Sequence, residues 1–269
     1  MTAQRTPAGD GAVRLTCLES MLGDVDIGER FAMAQAAGFD GIDLRGDGVG
    51  DVAAEVRRLS DRTGLPVAAV YGRLGGPLLA RTAAERAAMV ELIRSRLRDA
   101  ASVGAGRLIV VPVFGAARLA VADPEPAELT LLSILLGELV EEAAAQRVEI
   151  VLEPLNRQET HLLRSPAVGA EIARGVGSPW VGTMLDTYHA DREGLDVVAE
   201  LSAAGDRLRL VHLSDRKRRL PGEGGIDFAA VLRALAALGY DGYLGFECRG
   251  TFDVDRLRRS VDWVREQQR

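Results

Sequence analysis

The sequence predicts an α/β chain folded as a single (β/α)8 barrel. Short β-type apolar runs alternate with stretches of helical periodicity eight times between residue 13 and the end of the 269-residue chain. Those runs are nearly continuous in Val, Ile and Leu, as parallel strands buried on both faces require. The first run leads into Glu19-Ser20-Met21-Leu22-Gly23-Asp24, where an open dinucleotide-binding sheet would place a GxGxxG turn. No Pro/Gly/Ser-rich linker divides the chain, so residues 13–269 read as one domain and residues 1–12, polar throughout, as a disordered tail.

The elements follow in order. A first strand covers 13–18, and a helix over 27–37 ends at Gly38, a residue suited to the left-handed C-cap. The second strand is 41–44, followed by a helix over 52–63 that stops at Gly64. The third strand is 66–71. Thr82 with Glu85 three residues on is a capping-box pattern that opens a long helix to about residue 103. A fourth strand at 107–112 precedes a helix over 124–146, and the fifth strand, 148–152, runs into Glu153-Pro154. Ser165-Pro166 has the signature of an N-cap followed by proline in the first turn of a helix reaching about Arg174. Strands at 180–185 and 208–213, a helix over 228–238, a strand at 242–247 and a closing amphipathic helix over 254–267 complete eight units.

Composition narrows the function classes. A net charge of −6 argues against binding nucleic acid by phosphate neutralisation. No apolar stretch reaches the roughly 18 residues needed to span a bilayer, and the N-terminus lacks the apolar core of a secretory signal. The two cysteines, Cys17 and Cys248, form no CxxC spacing. These features together place the chain in the cytoplasm, with a small molecule as its partner and neither nucleic acid nor membrane.

Barrel active sites lie at the C-terminal ends of the strands. Glu153, Asp186, His212 and Glu247 fall there on four consecutive strands, five to eight. A single strand-end acid is more often solvated or a helix cap, and a single histidine in an apolar strand is more often a satisfied core residue. Three carboxylates converging with an imidazole are different, because burying them together is unfavourable without a cation. That hard O/N donor set suits Mn²⁺, Mg²⁺ or Co²⁺. His189 lies on the segment leaving the sixth strand. His161 reads equally well as a surface residue, and most of the basic run Arg216-Lys217-Arg218-Arg219 as a solvated loop. Glu19, Arg45, Tyr71 and Phe114 are candidates for the wall supplied by the first half of the barrel, and Asp227 for a helix cap.

The segments Gly38-Phe39-Asp40-Gly41-Ile42-Asp43-Leu44, Glu153-Pro154-Leu155-Asn156-Arg157, Leu185-Asp186-Thr187-Tyr188-His189, Val211-His212-Leu213-Ser214-Asp215 and Pro221-Gly222-Glu223-Gly224-Gly225-Ile226-Asp227-Phe228 resemble the sugar phosphate isomerase/epimerase family. This is the xylose isomerase-like TIM-barrel group that contains the ketose 3-epimerases and hydroxypyruvate isomerase. The resemblance implies that Glu153, Asp186, His212 and Glu247 bind one divalent ion, most often Mn²⁺. It also implies that Glu153 and Glu247 form the acid/base pair, and that Glu159, His189 and Arg218 contact substrate oxygens. Glu153-x5-Glu159 and Asp186-x2-His189 match the ketose 3-epimerase branch, and homo-oligomers are common in the family.

The activity so implied is a metal-dependent isomerase or epimerase of a small sugar or α-hydroxyketone, working by proton abstraction through a metal-stabilised enediolate. Two alternatives use the same pocket: a lyase that eliminates a β-oxygen from a keto sugar or keto cyclitol, and a non-catalytic sugar-binding barrel. Apurinic-site endonucleases share the barrel but need a histidine-rich multinuclear zinc cluster, and this chain has three histidines in all.

Overall fold

The computed structural model describes residues 13–115 and 125–268. The expected tail at 1–12 and the start of the helix expected from Pro124 lie outside the described residues. Eight parallel strands, β1 (Arg14–Leu18), β2 (Gly41–Arg45), β3 (Val67–Tyr71), β4 (Arg107–Val110), β5 (Glu149–Leu152), β6 (Val181–Asp186), β7 (Leu208–Leu213) and β8 (Tyr243–Phe246), close in sequence order, with β8 pairing back onto β1. The predicted (β/α)8 barrel is the fold of the chain.

Local chemistry sets most of the helices. In α1 (Ile27–Ala37) the Asp26 side chain accepts from Glu29 N, and Gly38 ends the helix at φ 86°. The helix α2 (Ala53–Thr63) follows a 3-10 turn at Val49–Val52 and stops at Gly64. Thr82 and Glu85 make the reciprocal capping box of α3 (Ala83–Ser102). The stretch expected as one helix to Gln146 is two, α4 (Glu125–Gly137) and α5 (Val140–Gln146). Leu139 N turns back to Leu136 O at 3.0 Å, a tighter spacing than the α-helical ladder, and the ladder is interrupted there. Ser165 caps α6 (Pro166–Val176) through Val168 N.

The segment after β6, which the sequence leaves without elements, holds two short helices, α7 (Thr187–Glu193) and α8 (Val197–Ala204). Both start on an aspartate: Asp186 accepts from Tyr188 N and His189 N, and Asp196 from Val198 N and Ala199 N. Asp227 caps α9 (Phe228–Ala237) as expected, and α10 (Val254–Gln267) closes the chain. Among the described residues no helix is long and apolar enough to cross a membrane.

The core has two parts, separated by the period-2 alternation of the strands. One set of residues, including Ile150 and Leu152 of β5 and Leu185 of β6, faces the helices. The other set, Ala69, Ile109, Val151, Met184 and Leu210, fills the barrel interior. This alternation positions the site. Two residues beyond Val151 is Glu153, two beyond Met184 is Asp186, and two beyond Leu210 is His212. The same parity that packs the interior layer therefore turns these side chains into the mouth. Beneath them Gly245 admits no side chain, since a Cβ there would meet Asp43 Oδ2 at 2.8 Å and His212 Cδ2 at 3.0 Å.

Candidate metal centre

Glu153, Asp186, His212 and Glu247 each offer one ligand atom, and these atoms all lie within 4.8 Å of one another. Glu153 follows the last residue of β5, its N–H bonded to Val110 O at 3.0 Å. Asp186 ends β6 and serves twice: Oδ1 caps α7 through Tyr188 N at 2.7 Å, while Oδ2 takes Arg218 Nη1 at 2.5 Å. The cap role offered by the sequence and the cluster role thus belong to different oxygens of one carboxylate. His212 is buried in β7, and Glu247 follows β8 with Oε2 3.4 Å from His212 Nδ1.

The electrostatics divide the two glutamates. Burial raises the Glu153 carboxyl, the nearby Glu247 charge raises it further, and it reaches about 8. Burial also acts on Glu247, whose side chain is 20% exposed, yet the Arg218 guanidinium and His212 outweigh it and hold its carboxyl well below the usual range. For His212, burial alone would favour the neutral ring, but its hydrogen bond with Glu247 and the surrounding carboxylate charges push it up to about 9. An anionic cluster that takes up protons at neutral pH is one that a divalent cation would relieve. The donor set, three carboxylates and one imidazole, fits such an ion.

The residues implied as substrate contacts surround this centre. Arg218 Nη1 also reaches Glu247 Oε2 at 2.9 Å, and its guanidinium stacks 4.4 Å over the Tyr188 ring. Lys217 and Arg218 both adopt positive φ, 62° and 58°, which folds the loop so that Arg218 points inward. Of the basic run, Arg216 pairs with Asp191 at 2.9 Å and Arg219 Nη1 donates to Glu223 O, leaving Arg218 as the one turned to the cluster. His189 Nδ1 receives Asn156 N at 3.1 Å and lies 2.7 Å from Asn156 Nδ2. Because the backbone N–H can only donate, Nδ1 is the acceptor and the ring proton sits on Nε2. That Nε2–H faces Arg218 Nη2 at 2.7 Å, so two donors meet. A ligand oxygen placed beside the pair, within reach of each, would accept from both. Asn156 Nδ2 also donates to Glu159 Oε1 at 2.9 Å, which ties Glu159 to the same network.

Several supporting residues carry no strong sequence signal of their role. Tyr71 O–H lies 3.1 Å from His212 Nδ1, with the two rings stacked at 5.6 Å. Asp215 is fully buried and accepts from Gly222 N, Gly224 N and Ile226 N, which fixes the loop after Arg218. Asn156 and Asp215 lie within the motifs that carry the resemblance, and their burial is what marks them. His161 is not at the centre; it pairs with Glu128 at 3.2 Å. Glu19 is buried and paired with Arg30 at 2.5 Å, and Arg45 N bonds to it at 2.8 Å. Phe114 is 70% exposed.

Comparison with known proteins identifies a family and several relatives. The model of the xylose isomerase-like TIM barrel family matches residues 31–267. An L-ribulose 3-epimerase of Mesorhizobium japonicum is 31% identical over 206 residues, covering 76% of this chain and 69% of that protein. A 3-dehydro-D-guloside 4-epimerase of Escherichia coli is 29% identical over 245 residues, covering 88% of this chain and 93% of that protein. The crystal structure of an E. coli 3-keto-D-glucoside 4-epimerase in its apo form superposes with a TM-score of 0.85 at 26% identity, covering 94% of this chain and 99% of that one.

Proposed function

The chain belongs to the xylose isomerase-like TIM barrel family, and from that premise we propose that it is a divalent-metal-dependent epimerase of a small keto sugar. The observation that carries the proposal is the convergence of Glu153, Asp186, His212 and Glu247 to within 4.8 Å at the barrel mouth. These four residues would hold one ion, with Mn²⁺ the first candidate and Mg²⁺ or Co²⁺ alternatives. When bound, the ion supplies Lewis-acid stabilisation of the enediolate charge that develops on the substrate.

The protein's own groups do the rest. Glu153 and Glu247 form the acid/base pair. In this scheme one of the two glutamates removes the proton next to the carbonyl, and the other returns one to the opposite face, inverting that carbon. His189 Nε2–H and Arg218 Nη2, two adjacent donors, bind a substrate oxygen that displaces their direct contact. Glu159, held by Asn156, accepts from a neighbouring hydroxyl. The relatives named above are epimerases of keto sugars, which supports inversion over elimination.

The test is product identity. Purified protein with Mn²⁺ is incubated with a panel of pentuloses, hexuloses and 3-keto glycosides, with and without a chelator. The reading expects an epimeric product that disappears on chelation and in Glu153→Gln. An unsaturated product identifies a lyase instead, and no turnover of any carbonyl substrate by metal-loaded protein favours a binding role.

A further inference from the structure

The cavity over the centre measures about 480 Å³, within the range of small-molecule sites, and Arg249 lines it alongside Glu159, Arg218 and Glu247. Arg218 is engaged by Asp186, Glu247 and His189. Arg249 is not: among the described residues its guanidinium makes no ion pair or hydrogen bond. Other arginines on the segments following β5, β7 and β8 are paired, Arg157 with Glu193 at 2.9 Å, Arg216 with Asp191 at 2.9 Å and Arg256 with Glu223 at 2.7 Å.

The backbone around Arg249 is set in place. Arg249 N bonds to Arg218 O at 2.7 Å, and Phe252 N bonds to Met21 O at 3.0 Å. Between those anchors Gly250 turns at φ 119°. The N–H groups of Gly250 and Thr251 have no acceptor among the described residues, and the hydroxyls of Ser20 and Thr251, on the same cavity wall, are likewise unpaired there. Residues bearing a guanidinium, two hydroxyls and two backbone N–H groups, none of them paired among the described residues, therefore line one cavity, and its two carboxylates are already engaged, Glu159 by Asn156 and Glu247 by Arg218. That is an anion-binding constellation. Arg249 is two residues from Glu247, a backbone separation of at most roughly 7 Å, comparable with the distance from the reacting carbon of a keto sugar to its terminal substituent.

We propose that this site takes a keto sugar bearing a terminal anionic group, phosphate or carboxylate, which Arg249 binds together with Ser20 and the Gly250–Thr251 backbone. The proposal rests on the epimerase reading of the same centre for the word sugar, but the anion site stands on its own observations.

Two measurements test it. In the first, chelator-treated full-length protein is titrated with inorganic phosphate or acetate and followed by thermal denaturation. Phosphate or acetate raises the melting temperature of the wild type, and Arg249→Met abolishes the rise while leaving the ligand-free melting temperature unchanged, since Arg249 is exposed and holds no partner. In the second, the Mn²⁺-loaded protein is given D-ribulose, D-ribulose 5-phosphate and a keto sugar acid, with solvent-hydrogen exchange as the readout. The kcat/KM for one of the charged substrates exceeds that for the neutral sugar by about 10- to 100-fold, the worth of one charge-assisted contact. That ratio collapses towards one in Arg249→Met and is partly kept in Arg249→Lys. Which charged substrate wins distinguishes phosphate from carboxylate. A wild-type ratio near one, or a ratio that Arg249→Met leaves intact, overturns the proposal while the epimerase reading survives. An anion-dependent thermal shift lost in Arg249→Met, with no exchange into any sugar, supports the anion site and removes the epimerase reading.

Discussion

Arg218 Nη1 lies 2.9 Å from Glu247 Oε2 and 2.5 Å from Asp186 Oδ2, so one guanidinium ties together carboxylates at the ends of β8 and β6, the two strands that flank β7. With only 13% of the Arg218 side chain exposed, this is a buried ion pair, and removing one partner leaves unpaired charge in a low-dielectric site. Arg218→Gln should therefore lower the stability of the metal-free protein by about 3 kcal/mol. Urea denaturation of chelator-treated wild type and variant measures it, and the gap should narrow when Mn²⁺ is added.

Metal affinity should rise with pH. Glu153 at about 8 and His212 at about 9 both carry protons at neutral pH in the metal-free protein, and both must lose them to act as ligands. Binding accordingly releases between one and two protons at pH 7, and the dissociation constant should fall roughly ten- to a hundredfold per pH unit between about pH 6 and 8. Titration calorimetry in two buffers of different ionisation enthalpy counts the protons directly.

The buried Asp43 gives a second pH dependence of opposite consequence. Burial raises its carboxyl to about 6, against the opposing His212 charge and the Thr16 hydrogen bond at 2.6 Å. Its folded value exceeds its unfolded value of 3.8, so its contribution is fully present below about pH 4 and is lost as pH rises through about 6. The loss amounts to at most about 3 kcal/mol. Asp43→Asn should retain an acceptor for Thr16 and remove this slope, so that the difference in denaturation free energy between variant and wild type shifts in favour of the variant between pH 4 and 7.

Asn156 should act on the substrate and not on the metal. Its backbone N–H and Nδ2 fix the His189 tautomer, and Nδ2 also holds Glu159. Asn156→Ala should lower kcat/KM by about 10- to 100-fold, as losses of supporting hydrogen bonds around metal sites typically do. Mn²⁺ affinity measured in parallel should stay within about twofold of the wild type, because Asn156 touches none of the four candidate ligands.

Much of this arrangement was legible in the residues themselves. The strands are short and apolar, so their order and number could be read, and the caps at Thr82, Ser165 and Asp227 work as their chemistry dictates. Glu153, Asp186, His212 and Glu247 could be placed together because strand ends in a barrel converge. Features that depend on tertiary contact were not legible. The break between α4 and α5 occurs in a run with good helical residues on both sides, and α7 and α8 are too short for periodicity to register. Nothing local in Tyr71 shows that its hydroxyl meets His212, 141 positions away in sequence. The inward turn of Arg218 depends on two successive positive-φ residues that carry no glycine to mark them.

The most direct test follows the proton that the mechanism says must move. Metal-loaded protein is incubated in D₂O with a keto sugar that it converts, and the product is analysed by NMR and mass spectrometry. The account predicts one deuterium on the inverted carbon next to the carbonyl, with incorporation lost in Glu153→Gln and on chelation. Inversion without solvent deuterium at that carbon, or incorporation that survives removal of the metal, would contradict it.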